Sequence, residues 1–184
     1  MRFRLLLLLA LLPHAAHPGL TVIPMAFYTP ETSLAAGVSP LYLFPPRADT
    51  RRSSLVGLAI VTLNKQVQGF VTGTHYFMQN RAVLKGGIYA RHYPSKFFGI
   101  GDATREADEE PWLEDSFRVE GSLLFRLRPF LYLGPRFEYE GLSVREREAG
   151  GLLDTGTIPG SGGSRFSGAG LLLRFDSTDD EFQP

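Results

Sequence analysis

The sequence predicts an all-β fold, an antiparallel meander of about seven to eight strands that forms a transmembrane β-barrel and is incomplete. Residues 120–140 alternate apolar and polar side chains on two arms that a Pro-containing turn joins. Other segments repeat this alternation, and no window shows a sustained apolar repeat of 3.6 residues. We therefore expect little or no helix beyond the first residues of the chain.

On both arms of this hairpin the odd-numbered residues, the apolar parity, are mostly apolar, and the even-numbered residues, the polar parity, are mostly polar. The apolar parity holds Val119, Gly121, Leu123, Phe125, Leu127, Leu131, Leu133, Pro135, Phe137 and Tyr139. The polar parity holds Glu120, Ser122, Arg126, Tyr132, Arg136, Glu138 and Glu140, with Leu124 as the exception. A strand places the two sets on opposite faces, and an apolar row of about nine residues suits a tilted strand that crosses a bilayer. Unpaired charges are costly to bury, so the polar face is expected to meet water inside a barrel and the apolar face to meet lipid outside it.

The parities also predict a register for the hairpin. Opposed residues must share a face, so the turn contains an odd number of residues, and Arg128-Pro129-Phe130 is the predicted turn. The resulting pairs are Leu127 with Leu131, Phe125 with Leu133, Gly121 with Phe137, Ser122 with Arg136, and Arg118 with Glu140. Glu120 then meets Glu138, and this like-charged pair needs Arg118 or Arg136 as a diagonal partner.

Turn residues divide the remaining chain into further strands. The predicted strands span residues 33–44, 53–63, 66–77, 82–92, 116–127, 130–144 and 165–175. Residues 19–31 are predicted to be an extended lead-in, because Pro18, Pro24 and Pro30 interrupt or flank them.

The predicted connections fall into tight and long classes. Tight turns are expected at 64–65, 79–81 and 128–130, and long, solvated and mobile loops at 93–113 and 145–164. This asymmetry is typical of outer-membrane barrels, which have short periplasmic turns and long outer loops. Counting back from turn 128–130 places the start of the first strand outside the cell. Either a strand is missing from the count, with residues 97–101 as one candidate, or loop length does not indicate the side of the membrane in this protein.

Composition and the first residues constrain partners and location. Lys and Arg number 19 against 19 Asp and Glu, so no basic excess favours nucleic acid, and the absence of Cys excludes thiol catalysis and thiolate metal sites. Arg2 and Arg4 precede an apolar run at 5–12, and small residues follow. This pattern predicts a signal peptide at residues 1–16, with a boundary up to 20. Residues 21–184 then form the barrel domain, exported to the outer membrane of a Gram-negative bacterium.

An outer-membrane lipid hydrolase is the enzyme alternative. It needs a nucleophile with a base in reach, and the sequence has no G-x-S-x-G motif. His75 and His92 are the histidines of the predicted barrel, with His17 near the leader boundary. Their positions favour an interfacial aromatic belt, and Ser161 and Ser164 lie in a Gly-rich loop too flexible to hold a nucleophile. The prediction is a protein that is not an enzyme and has no catalytic residues.

Three further groups of residues are weighed against binding roles. The acidic residues are Asp108, Glu109, Glu110, Glu114, Asp115, Asp176, Asp179, Asp180 and Glu181, and they lack the spacing of a calcium loop. Gly99-Ile100-Gly101 and Gly168-Ala169-Gly170 lack the third glycine of a dinucleotide fingerprint. Trp112 and Phe97-Phe98 fit an interface girdle better than a ligand platform. No metal, cofactor-binding or catalytic site is therefore predicted.

Several segments resemble one family of barrels. They are FYTPETSLAAGVSPLYLF (27–44), VTLNKQ (61–66), YPSKFFGIGD (93–102) and GAGLLLRFDSTDDEFQP (168–184). In order, they are similar to characteristic segments of the BamA/TamA-like outer-membrane barrels, the bacterial surface antigen family. The last segment departs from the family pattern, because Asp176-Ser177-Thr178-Asp179-Asp180 lacks its usual Arg.

The resemblance implies a role in inserting or translocating outer-membrane proteins, with lipid and unfolded outer-membrane proteins as partners. A passive pore or transport barrel is the alternative. Relatives carry periplasmic POTRA modules before the barrel and further strands after the equivalent of Pro184. Here the predicted leader leaves no room for such a module before Tyr28, and the sequence stops in what resembles a turn between strands. Closed single-chain barrels have at least eight strands and no free edge. The expectation is therefore a truncated N-terminal part of a barrel.

Overall fold

The structure, a computed structural model, describes residues 19–102, 104 and 109–178. The predicted signal peptide at residues 1–16 lies outside these residues. Eight strands are present: β1 (Gly19–Thr29), β2 (Ser33–Leu43), β3 (Ser54–Thr62), β4 (Val67–Phe77), β5 (Ala82–Phe97), β6 (Glu110–Arg128), β7 (Leu131–Arg147) and β8 (Ser164–Phe175).

Each strand pairs antiparallel with the next, in the order β1-β2-β3-β4-β5-β6-β7-β8. Within the described residues, β1 and β8 do not pair with each other, so the sheet is an open meander. The all-β prediction is confirmed, as is the expectation of an unclosed sheet. No helix in the described ranges is long and apolar enough to span a membrane.

Strand β1 corrects the predicted lead-in at residues 19–31. It pairs with β2 along its whole length, from Gly19 opposite Leu43 to Thr29 opposite Ser33. Pro24 lies inside it, which is tolerated because an edge strand has backbone N–H groups that need no ladder partner. The prolines therefore do not keep this extended segment out of the sheet.

Counting β1 removes the conflict over sides. The start of β1 and the connections 44–53, 78–81 and 129–130 lie at one end of the sheet, which we name the turn end. The connections 30–32, 63–66, 98–109 and 148–163 lie at the other, the loop end. The miscounted strand is thus β1, and residues 98–101 lie in the β5–β6 connection.

The β6–β7 hairpin has the predicted pairs but a different turn. Arg128 pairs with Leu131, so the turn is the two residues Pro129-Phe130, and the predicted Leu127–Leu131 pair is wrong. A register shift between Arg126 and Arg128 places one extra residue in β6. This bulge restores the parity that a two-residue turn would reverse. The remaining predicted pairs, from Phe125 with Leu133 to Arg118 with Glu140, are confirmed.

The sheet curls, and its two faces differ accordingly. Arg51, just before β3, contacts Asp176, just after β8, with 3.1 Å between Nη1 and Oδ2. In a flat sheet these strands would lie about 24 Å apart, at ~4.8 Å per strand. The face on which they meet is therefore concave, and we call the other the outward face.

A small apolar cluster fills the concave face near the turn end. Tyr76, Val83, Leu124 and Tyr132 are nearly inaccessible to solvent, and Leu172 packs against them. These side chains come from β4 to β8 in turn, and cross-strand pairing places them side by side, as in Tyr76 with Val83 and Val83 with Leu124. Leu124, the exception in the polar parity, is the most buried of the four, at 0% exposure.

The outward face is apolar across all eight strands. Its exposed members include Leu20, Val22, Leu34, Val38, Leu55, Val61, Val71, Leu84, Ile88, Phe117, Phe125, Phe137, Leu171 and Leu173. Pairing places them beside one another, as in Val71 with Ile88 and Ile88 with Val119. No second layer covers this face among the described residues.

The long connections are shorter and better held than predicted. β5 continues to Phe97, β6 begins at Glu110 and β7 ends at Arg147. The Glu110 carboxylate accepts hydrogen bonds from the N–H groups of Leu152, at 2.6 Å, and Leu153, at 3.2 Å. Leu153 is buried. The expectation of a wholly solvated loop at 145–164 is therefore wrong.

Candidate functional site

The concave face has an apolar half and a charged half. On β1 to β4 its larger side chains are Ile23, Met25, Phe27, Leu41, Val56, Leu58, Ile60 and Phe70. On β5 to β8 the same face carries Lys85, Tyr89, Arg91, Glu114, Arg118, Glu120, Arg136, Glu138 and Arg174. The charged half is the strongest candidate for a functional surface.

Four charged side chains form a network at the middle of β6 and β7. Glu120 lies opposite Glu138, and each carboxylate contacts both neighbouring arginines. Arg118 Nη2 lies 2.9 Å from Glu120 Oε2 and 4.0 Å from Glu138 Oε2. Arg136 Nη2 lies 2.9 Å from Glu138 Oε2 and 3.5 Å from Glu120 Oε2. The predicted diagonal partner is confirmed, and both arginines fill the role.

Tyr89 of β5 extends this network sideways. Its hydroxyl donates to Glu120 Oε1 at 3.2 Å, and the Arg118 guanidinium lies 5.7 Å from the ring centroid. Phe70 packs beside Tyr89, with 5.7 Å between ring centroids. Tyr89 therefore joins the charged half to the apolar half.

A cavity of about 440 Å³ opens beside the network. Its polar lining includes Ser54, Thr72, Thr74, Lys85, Tyr89, Glu120, Ser122 and Arg136. Leu172, which packs on the apolar cluster, closes it towards the turn end. The network side chains keep 26–44% of their surface exposed, so water solvates them and the ion pairs are weak enough to exchange partners. The cavity can thus hold water and polar groups, and it has an apolar floor.

The two histidines considered for catalysis lie on the outward face. His75 lies between the rings of Phe44 and Phe77, with centroid distances of 5.6 Å and 6.1 Å. His92 Nδ1 lies 2.6 Å from Asp115 Oδ1, and β5 continues five residues past it, so it does not end a strand. The pair is not brought together. His17 lies outside the described residues.

The acidic residues have separate partners rather than one shared site. Lys96 contacts Glu109, Arg91 contacts Glu114, and Arg145 contacts Asp115 through Nε at 2.6 Å. In the described ranges, no group of three or more potential ligands is placed to hold a metal ion. Asp108, Asp179, Asp180 and Glu181 lie outside the described residues.

The remaining motifs have structural positions. Gly99 and Gly101 have φ of 95° and 107°, which supports turn roles for them. Ser161 is buried and its N–H donates to the Ile158 carbonyl oxygen, whereas Ser164 begins β8. Trp112 and Phe97 share the parity of the concave face, contrary to their assignment to an outward girdle.

Two contacts escaped sequence reasoning because they join distant parts of the chain. Arg51 meets Asp176 across 125 residues, and Glu110 meets Leu153 across 43 residues. No local pattern marks either pair.

Comparison with family models, with curated proteins and with solved structures finds no match for this chain.

Proposed function

We propose that the sheet spans the outer membrane of a Gram-negative bacterium, with its outward face in lipid and its concave face in water. The uncovered apolar outward face carries this proposal, because soluble proteins rarely expose an apolar surface of this extent. Export through the leader at residues 1–16 belongs to the same proposal.

The length of the apolar rows fits a bilayer. On β6 the outward row runs from Phe117 to Leu127, and Asp115 bounds it at the loop end. At ~3.4 Å per residue the row is about 34 Å long. A strand tilt of ~40° reduces its height to about 26 Å, close to the ~25 Å apolar band of outer-membrane barrels.

The resemblance to BamA/TamA-like barrels supports a more specific role, the insertion or translocation of outer-membrane proteins. The partners would be outer-membrane lipid and unfolded outer-membrane proteins. The hydrated charged half of the concave face suits the passage of a polar backbone. Deletion of the gene tests this role: lower levels of several outer-membrane proteins support it, and unchanged levels contradict it.

Single-cysteine labelling tests the membrane placement. Because the sequence contains no native Cys, the label attaches only at the introduced position. Phe125→Cys places a label on the outward face, and Ser122→Cys places one beside the concave cavity. In phosphatidylcholine vesicles, quenchers on acyl chains should reach the label at 125, and aqueous iodide the label at 122. Equal access of iodide to both labels would overturn the membrane placement. Val71→Cys and Thr72→Cys repeat the test on β4.

A passive pore is the second candidate, favoured by the polar cavity on the concave face. Ion conductance in planar bilayers, with block that depends on the size of the blocking molecule, would support it. The cluster around Leu124 closes the cavity towards the turn end, so a pore also requires that Leu124→Ala raise the conductance.

A further inference from the structure

The turn end carries a set of exposed arginines that we name the arginine collar. Its members are Arg47, Arg81 and Arg128. They lie in the 44–53 connection, in the β4–β5 turn and at the end of β6. None of the three forms a salt bridge within the described part of the chain. Their charges are thus open to an external partner.

The acidic groups described at the same end do not form salt bridges with the collar. Of the described carboxylates there, Asp176 is already paired with Arg51 and Arg174, and Asp49 is the other. Asp179, Asp180 and Glu181 follow in the sequence and lie outside the described residues.

The loop end has the opposite balance of charge. Its bases are Lys65, Arg91, Lys96, Arg145, Arg147 and Arg165. Its acids are Glu31, Asp102, Glu109, Glu110, Glu114, Asp115, Glu146, Glu148 and Asp154. An anionic partner is therefore attracted to the turn end and repelled from the loop end.

Aromatic side chains fix the depth at which the collar lies. Tyr42, Phe44, His75 and Phe77 form a row near the turn end, with successive centroid distances of 5.0, 5.6 and 6.1 Å. Phe130, in the turn that follows Arg128, packs against Phe175 with 6.3 Å between ring centroids. Such rings occupy the headgroup level of a bilayer.

We propose that the arginine collar binds the phosphate groups of anionic lipids in the leaflet at the turn end. This rests on the proposed membrane placement. A guanidinium presents several N–H donors in a plane that matches phosphate oxygens, and collar and aromatic row lie at the same level. Each arginine near a membrane surface should strengthen association with anionic lipid about fivefold.

Two labels measure which lipid gathers at each end. Met78→Cys labels the turn end and Leu63→Cys the loop end, and both native side chains are exposed. Energy transfer from each label to headgroup-labelled phosphatidylglycerol or phosphatidylcholine gives the local preference. We expect excess phosphatidylglycerol at position 78 and none at position 63, with the excess declining as salt rises.

Arginine variants then assign the preference to the collar. Arg81→Gln with Arg128→Gln should lower phosphatidylglycerol association at position 78 about fivefold per residue, whereas Arg81→Lys with Arg128→Lys should retain most of it. Arg165→Gln is the matched control, because Arg165 is exposed at the loop end and, like the collar residues, forms no salt bridge within the described part of the chain. An undiminished preference in the double Gln variant, or an equal preference at position 63, would refute the collar. Failure to insert into phosphatidylcholine alone would instead refute the membrane placement.

Discussion

A lysine at residue 71 should destabilise the sheet in a lipid bilayer, whereas a lysine at residue 72 should not, because the two side chains lie on opposite faces of β4. Val71 is 55% exposed on the outward face. Thr72, the next residue in the sequence, lines the concave cavity. In water, a lysine at either position would cost little. In lipid, only Val71→Lys places its ammonium among acyl chains.

The expected magnitude follows from the depth of Val71. The outward row of β4 runs from Val67 to Phe77, so Val71 lies near its middle. A lysine at the bilayer midplane of a barrel costs about 2–4 kcal/mol, and one in the lumen costs little. We expect Val71→Lys to lower the free energy of unfolding by ~3 kcal/mol and Thr72→Lys by less than ~1 kcal/mol.

Urea unfolding in phosphatidylcholine vesicles measures both variants. With a slope of ~3 kcal/mol/M, Val71→Lys should move the midpoint down by about 1 M and Thr72→Lys by a third of that or less. Equal shifts, or no shift for Val71→Lys, would refute the assignment of the outward face to lipid. Val71→Ala separates the loss of the native side chain from the added charge.

Three other changes test the packing. Leu124→Ala should lower the free energy of unfolding by about 2–5 kcal/mol. Urea unfolding should show a smaller loss for Leu123→Ala, because on the proposed membrane placement lipid refills that outward site. Gly134→Ala should shift the β6–β7 cross-peaks in NMR spectra and destabilise the sheet, because a Cβ there would overlap the Leu123 carbonyl oxygen. Burial raises the pKa of Asp176, but the Thr178 N–H and nearby arginines outweigh burial and leave the pKa below its usual value. Its stabilisation is therefore present above pH ~4 and lost as pH falls through the lowered pKa, and Asp176→Asn should flatten this part of an acid-unfolding curve.

The periodicity of the sequence predicts the faces and most of the register. Side chains alternate every residue, so the sequence alone places Glu120 and Glu138 on one face and opposite each other. The charge network follows from the alternation and that register, because its members are either two residues apart on one strand or diagonal neighbours across the two strands. The predicted turn is wrong because a bulge with a two-residue turn preserves the same parity as a three-residue turn.

Features that depend on curvature cannot be predicted in this way. Pairing patterns are local, but the cavity, its Leu172 floor and the Arg51 contact depend on how far eight strands curl. The prediction misses β1 because Pro24 indicates a break in a strand unless that strand lies at an edge, and periodicity does not show which strands are edges. The Glu110 contact with 152–153 requires the path of the 148–163 loop, which no periodicity encodes.

The Arg51–Asp176 pair has a consequence for the order of folding. Every strand of the meander pairs with its neighbour in sequence, so hairpins can form one after another with short loops to close. The ion pair instead joins residues 125 apart, and closing a flexible loop of that length costs roughly 4 kcal/mol in chain entropy. If the intervening hairpins form first, they have already ordered most of that loop, and the remaining entropic cost is small. The ion pair then forms last and determines how strongly the completed sheet is curved.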